Sequence, residues 1–128
     1  MNYYINKTIR ADFDEAVELV TEALKEKGFG ILSEIDISEK MREKMDIEFR
    51  KYKILGACNP PFAFKALQHE DKVGTLLPCN VILQEAGEGL VEVAAVDPVA
   101  SMISISNPGL TKIAEEVRDI FEELIEDL

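Results

Sequence analysis

The residues whose types and spacing stand out chemically are two Cys-Asn pairs, each beside a proline: Cys58-Asn59-Pro60 and Pro78-Cys79-Asn80. Each pair joins a soft nucleophile to an amide that both donates and accepts hydrogen bonds. Cys58 ends a strand pattern and directly precedes a helix cap at Asn59. Amides at a helix start can stabilise a thiolate and lower its pKa. If the two strands are neighbours, Cys58, Asn59, Cys79 and Asn80 form one polar, soft cluster. Such a cluster suits a small polar molecule, a thiol species or a soft metal as ligand. A strand cysteine also serves as a small buried hydrophobe. The alternations Ile54, Gly56, Cys58 and Leu77, Cys79, Val81 fit that structural role as well. A disulfide between the two thiols needs Cα atoms within about 7 Å, which the spacing leaves open.

Other chemistries find less support. There is no C-x-x-C and no His pair. Cys58, Cys79 and His69 could supply three ligands at most without carboxylates, whereas structural zinc takes four. No metal site is therefore expected, and no cofactor is specified. On a helix opening at Pro60, His69 falls opposite Ala63 and Leu67, at the surface or against another chain. Phe62, Ala66 and His69 then share a face off the expected core stripe. Tyr3 and Tyr4 pose a similar question, because adjacent strand residues cannot both face one core. No Ser-His-Asp pattern is evident, and Gly28-Phe29-Gly30 lacks the third glycine of a phosphate loop. Glu85 and Glu92 are expected near one another on a hairpin, as exposed charges. Three functions stay open: a ligand-binding module, an enzyme with a reactive or redox cysteine, and a structural or partner-binding domain with core cysteines.

These side chains must be positioned by a mixture of strands and helices. Tyr3 to Ile9 puts Tyr3, Ile5 and Ile9 on one face at period two. Asp12, with Glu15 three residues on, predicts a capping box for a helix carrying Phe13, Ala16, Val17, Val20 and Leu24. Gly28 supplies its left-handed stop. Phe29, Ile31, Ile35 and Ile37 predict a half-buried strand, with a short helix over Ser38 to Met45. Tyr52 to Cys58 is the next strand. Asn59 then caps a helix that opens at Pro60 and runs to about Asp71. Val73 to Leu83 reads as one long strand, with Pro78 forcing an edge position or a bulge. Leu90 to Val96 completes a hairpin through Ala86-Gly87-Glu88-Gly89. Asp97-Pro98 ends it, and Asn107-Pro108 opens the last helix. That helix carries Leu110, Ile113, Val117, Ile120, Phe121, Leu124 and Leu128 in one stripe. Its opposite face holds Glu115, Asp119, Glu122 and Glu126. Short hairpins between long flanking helices predict an α+β domain with helices stacked on one side of an antiparallel sheet.

The bulk numbers bound the rest. A chain of 128 residues, 47% hydrophobic and 30% charged, fits one globular domain over 1–128 that folds without disulfides or a structural metal. The 14 Lys and Arg against 25 Asp and Glu leave a net charge of −11. That field repels phosphates, so neither nucleic acid nor an anionic membrane is an expected partner. Met1 to Arg10 has no apolar core of the signal-peptide kind. No window reaches the ~20 apolar residues of a membrane span. A cytoplasmic location with reduced thiols is the expectation.

With these residues in view, the chain resembles the DUF302 family. The match is carried by Leu55-Gly56-Ala57-Cys58-Asn59-Pro60-Pro61, Ala63 and Ala66-Leu67, then by Leu76-Leu77-Pro78-Cys79-Asn80-Val81, Glu85 and Asp97-Pro98. The resemblance implies a TBP-like α+β fold, with a curved, mainly antiparallel sheet of about five strands. Two long helices pack on one face and a short helix precedes the fourth strand. It also implies a homodimer. No catalytic residue is carried over; only the Cys-Asn positions transfer, as candidate site residues. His69 lies outside the pattern.

Overall fold

Alternating apolar residues commit the strands to a sheet with one buried face, and the order of turns decides which strands meet. The computed structural model describes residues 2–128. Five strands, β1 (Tyr4–Arg10), β2 (Gly30–Asp36), β3 (Tyr52–Cys58), β4 (Cys79–Gly87) and β5 (Leu90–Val96), form one sheet in the order β1-β5-β4-β3-β2. Every pairing is antiparallel. The helices are α1 (Phe13–Glu26), α2 (Ile37–Met45), α3 (Pro60–His69), the single turn α4 (Pro98–Ser101) and α5 (Pro108–Glu126). The fold is α+β, as expected. No helix among the described residues is long and apolar enough to cross a membrane.

One face of the sheet is sealed. Leu55, Ala57, Val81, Leu83, Val91, Val93 and Ala95 are all buried there, in a layer shared with Phe13, Val20 and Leu24 of α1 and with Val117, Phe121 and Leu124 of α5. Phe121 is wholly buried, its ring centroid 5.1 Å from that of Phe29. A side chain of that size contributes roughly 1.5–3 kcal/mol on burial. Lys7 ties the far end of α5 to β1: its Nζ donates to the main-chain oxygens of Glu126 and Leu128 at 2.7 and 2.6 Å. A smaller apolar cluster, Ala66, Val73, Met102, Leu110 and Ala114, joins α3 and α4 to the first half of α5. Residues between the buried ones, such as Asn80, Ile82, Gln84, Glu92 and Ala94, point to the other face, and none of them is buried.

Caps explain the helix starts. Asn59 Oδ1 accepts from Phe62 N–H, Asp97 from Val99 N–H, and Asn107 from both Gly109 and Leu110 N–H. Asp36 caps α2 by accepting from Glu39 N–H; a hydrogen bond from Ser38 Oγ, more than any other contact, holds its carboxyl below the usual carboxylate range. Gly28 stops α1 at φ +86°.

Several expectations change. Asp12 stands at the start of α1 without a side-chain capping bond, so the capping box does not form. In β2 a bulge between Ile31 and Ser33 reverses the alternation. Ile31 pairs with buried Ala57 on the sealed face, whereas Ile35 pairs with Ile54 on the open one. Glu34 thereby turns to the helix side, where it meets Lys53 at 2.8 Å. The long strand over Val73 to Leu83 does not exist. Val73–Leu76 is a 3₁₀ turn, the Leu77–Pro78 bond is cis, and β4 starts only at Cys79. Pro78 needs neither edge nor bulge, since it precedes a central strand rather than interrupting one. α3 ends at His69 instead of Asp71, and it turns Phe62 and Ala66 inward beside Ala63, while Leu67 is exposed. The reason is that α3 docks on α5 as well as on the sheet end. Glu85 and Glu92 lie on opposite faces, because Gln84 is the residue opposite Glu92.

Gly56 lets Pro78 close on β3. A β-carbon there would stand 2.8 Å from Pro78 Cγ and collide with Ser33 Oγ. Gly56→Ala is expected to cost about 1–3 kcal/mol through overpacking. Urea unfolding followed by far-UV circular dichroism checks it; an unchanged midpoint would refute the account.

Candidate functional site

Register decides what becomes of the two Cys-Asn pairs. Ala57 faces Cys79 and Gly56 faces Asn80. Cys79 therefore shares the sealed face with Val81 and Leu83, and Asn80 turns to the opposite one. Cys58 sits at the last position of β3, where the chain leaves for α3. Both thiols line a single cavity under α3 and α5, together with Asn59, Phe62, Pro78 and Val117. Three of the four candidates are thus brought together, and Asn80 is parted from them by the thickness of the sheet.

The cavity offers little room and little polarity. Its volume is about 40 Å³, space for only a few water molecules. Nearly all its walls are apolar, Phe29, Leu77, Met102 and Leu110 among them. Asn59 is already occupied: Oδ1 accepts from Phe62 N–H at 3.3 Å, and Nδ2 packs on Gly28, 3.0 Å from where a β-carbon would stand. Neither cysteine is in a disulfide. Burial first, and the neighbouring Cys58 second, push the Cys79 thiol up to about 11. That is the opposite of an activated nucleophile. No cluster of three or more His, Cys, Asp or Glu able to hold a metal occurs among the described residues. His69 is exposed at the end of α3, with its ring against Gly109 and its carbonyl accepting from Asn107 Nδ2 at 2.9 Å. Its position is explained by joining α3 to the start of α5.

The open face of the sheet carries a different kind of site. A groove of about 390 Å³ crosses four strands there. All three tyrosines of the chain, Tyr3, Tyr4 and Tyr52, line it, with Asn80, Gln84 and Glu92 between them. Tyr3 and Tyr4 meet edge to face, centroids 5.0 Å apart. Ile82, Ala94 and Val96 supply an apolar floor. The polar groups form one chain of hydrogen bonds. Arg50 Nε donates to Gln84 Oε1 at 2.8 Å, Gln84 Nε2 to Glu92 Oε1 at 2.8 Å, and Asn6 Nδ2 to Glu92 Oε2 at 2.8 Å. Arg50 itself lies over the rings of Phe49 and Tyr52, 4.4 and 5.7 Å from their centroids.

Of these residues only Asn80 belonged to the candidate set. The available signal was the outward period-two row Asn80, Ile82, Gln84 and the tyrosines in or beside strands. It is a weak signal, because outward polar residues on a strand are ordinary solvated positions.

Fold and site together define a one-sheet α+β domain with a sealed thiol-bearing face and an open groove. The chain belongs to the DUF302 family: the model of that family, a domain of unknown function, matches residues 5–128. A solved structure described as an uncharacterized conserved DUF302 protein from Bacillus stearothermophilus is similar, with a TM-score of 0.89 and 26% identity. The similarity covers 97% of this chain and 96% of that one. No curated protein matches the chain.

The state of Cys79 has a measurable consequence. In a Cys58→Ser chain, where burial remains as the cause, Cys79 should react with iodoacetamide at least roughly tenfold more slowly than free cysteine near neutral pH, the smaller thiolate fraction being partly offset by higher nucleophilicity. Because the raised pKa favours the neutral thiol in the folded state, its contribution to stability is full below the ordinary thiol value. It drains away as pH climbs towards about 11. Rapid labelling in the native state would contradict this environment.

Proposed function

We propose that the chain is a non-catalytic binding domain of the cytosol whose ligand seat is the groove on the open face of the sheet. The observation that carries the proposal is a contrast of volumes. About 390 Å³ lies open beside Asn80, Gln84 and Glu92, against about 40 Å³ beside the thiols. Small-molecule sites begin at roughly 300 Å³ and pair apolar walls with a few convergent polar groups. On this reading Asn80 is the one Cys-Asn residue that meets the ligand. Cys58, Asn59 and Cys79 hold α3 against the sheet. A thiol, soft-metal or polar ligand at the cysteines would find about 40 Å³ between apolar walls, as would a substrate approaching a reactive Cys79.

The chain has three tyrosines and no tryptophan, so tyrosine emission and ring resonances report on the groove alone. A metabolite panel screened by thermal shift should yield binders that perturb these signals. Their binding should be lost in Ala94→Phe, which fills the groove, and kept in Cys58→Ala/Cys79→Ser. The reverse pattern would return the site to the thiols.

The homodimer implied by the family resemblance has its own support. Edge strand β2 leaves Leu32 69% and Ile35 42% exposed. Edge strands usually avoid displaying large apolar side chains, because they invite pairing with another chain. Sedimentation should give a dimer that Leu32→Glu converts to monomer; a monomer before mutation would end this proposal.

A further inference from the structure

The groove has a sign as well as a shape. Glu92 sits half-buried in its wall, with each carboxylate oxygen accepting one N–H from a neutral amide. Those two bonds fix the carboxylate in place without cancelling its charge. Among the described residues Glu92 has no ion-pair partner closer than 4.0 Å. The nearest cation in the network is Arg50, and it is directed elsewhere. Its Nε donates to Gln84 Oε1, and its guanidinium lies over Phe49 and Tyr52. The bond from Arg50 also orients the Gln84 amide, so that the NH₂ end is the one facing Glu92. The groove therefore presents an oriented anion, with lone pairs to spare, among three phenol rings.

Building on the groove as the ligand seat, we infer that it recognises an organic cation: a primary or quaternary ammonium group on a small apolar body. The ammonium lies beside Glu92 and against the Tyr3 and Tyr4 rings, which attract cations through their quadrupoles, the Tyr52 ring being already covered by Arg50. The body covers Ile82, Ala94 and Val96. Two observations select this class. The net charge of −11 draws cations and repels anions. A bare divalent metal is a poor fit, since hard cations take six or more oxygen ligands and no cluster of three or more potential ligand side chains is present among the described residues. Tyrosine and carboxylate side chains around a space of this size match an alkylammonium better than either an anion or a metal ion.

Choline and its uncharged carbon isostere 3,3-dimethylbutan-1-ol separate charge from shape. Both are titrated into the intact chain at low salt, with the tyrosine ring signals followed by NMR. Choline should bind roughly tenfold or more tightly than the isostere. Glu92→Gln should erase that difference while leaving the isostere's weak binding unchanged; the Gln amide can keep only one of the two N–H bonds that Glu92 accepts, so the titrations are run well below the variant's own melting temperature. Butylammonium should behave like choline, and added salt should weaken both. Equal binding of choline and isostere, cation binding that survives Glu92→Gln, or no saturable cation binding at millimolar concentration overturns the inference. The comparison on the unmutated chain stands even if a variant folds poorly. If neutral or anionic compounds bind and lose affinity in Ala94→Phe, the groove remains the seat and only the cation class falls. If no binder responds to Ala94→Phe, the groove itself falls with it.

Discussion

A single layer of apolar side chains, held between one face of a five-stranded sheet and the helices α1 and α5, is the constraint on which the rest of the molecule depends. Phe121 occupies its centre against Phe29, and Leu24, Leu55, Leu83 and Val93 close around them with no exposure. The other apolar cluster among the described residues is smaller, so the strands must keep the register that directs these residues inward. A slip by one position would turn Val81, Leu83, Val91 and Val93 to the wrong face. Peripheral bonds refine this layer: Lys7 on the last carbonyls of α5, Asn107 at its start, and Asn59 between α3 and the loop at Gly28.

The two faces that result have different chemistry. On the helix-covered side there is a close-packed apolar interior, and groups that fall under the helices lose much of their contact with solvent. Cys79 illustrates the consequence: burial disfavours its thiolate, whatever the composition of the neighbouring loop. The open side can present polar groups at low cost, because each remains within reach of water. Arg50, Gln84, Glu92 and Asn6 can therefore form a cross-strand chain that would be costly if half-satisfied in a core. Asn80 and Cys79, adjacent in sequence, fall into these two environments because side chains on a strand alternate.

Much of the architecture was legible from local pattern. The stripe on α5, the left-handed stop at Gly28, the Asn-Pro openings of α3 and α5, and the β4–β5 hairpin all rest on interactions within a few residues. Failures came where a distant contact overruled the local one. The bulge at Ile31/Ser33 sends Ile35 outward although its spacing fits an inward strand. The apolar run around Pro78 became a 3₁₀ turn and a shorter strand, because Val73 and Leu77 pack under α5 rather than into the sheet. Phe62 and Ala66 proved to turn inward on α3 while Leu67 is exposed, since that helix meets both sheet end and α5. The groove was less legible still, for its walls come from four strands and from Tyr3, which precedes the first of them.

The Cys-Asn pairs mark the division. By itself the sequence determined that Asn59 would cap a helix, that Cys58 would end a strand, and that Cys79 would share a face with Val81. Each follows from bonds or alternation along a short stretch of backbone. Only the tertiary structure decided that Cys58, Asn59 and Cys79 share a small apolar cavity while Asn80 joins three tyrosines and a carboxylate across the sheet. That outcome depends on which strands lie side by side and in what register. Those are set by burying the whole apolar layer at once, a property that no short segment carries.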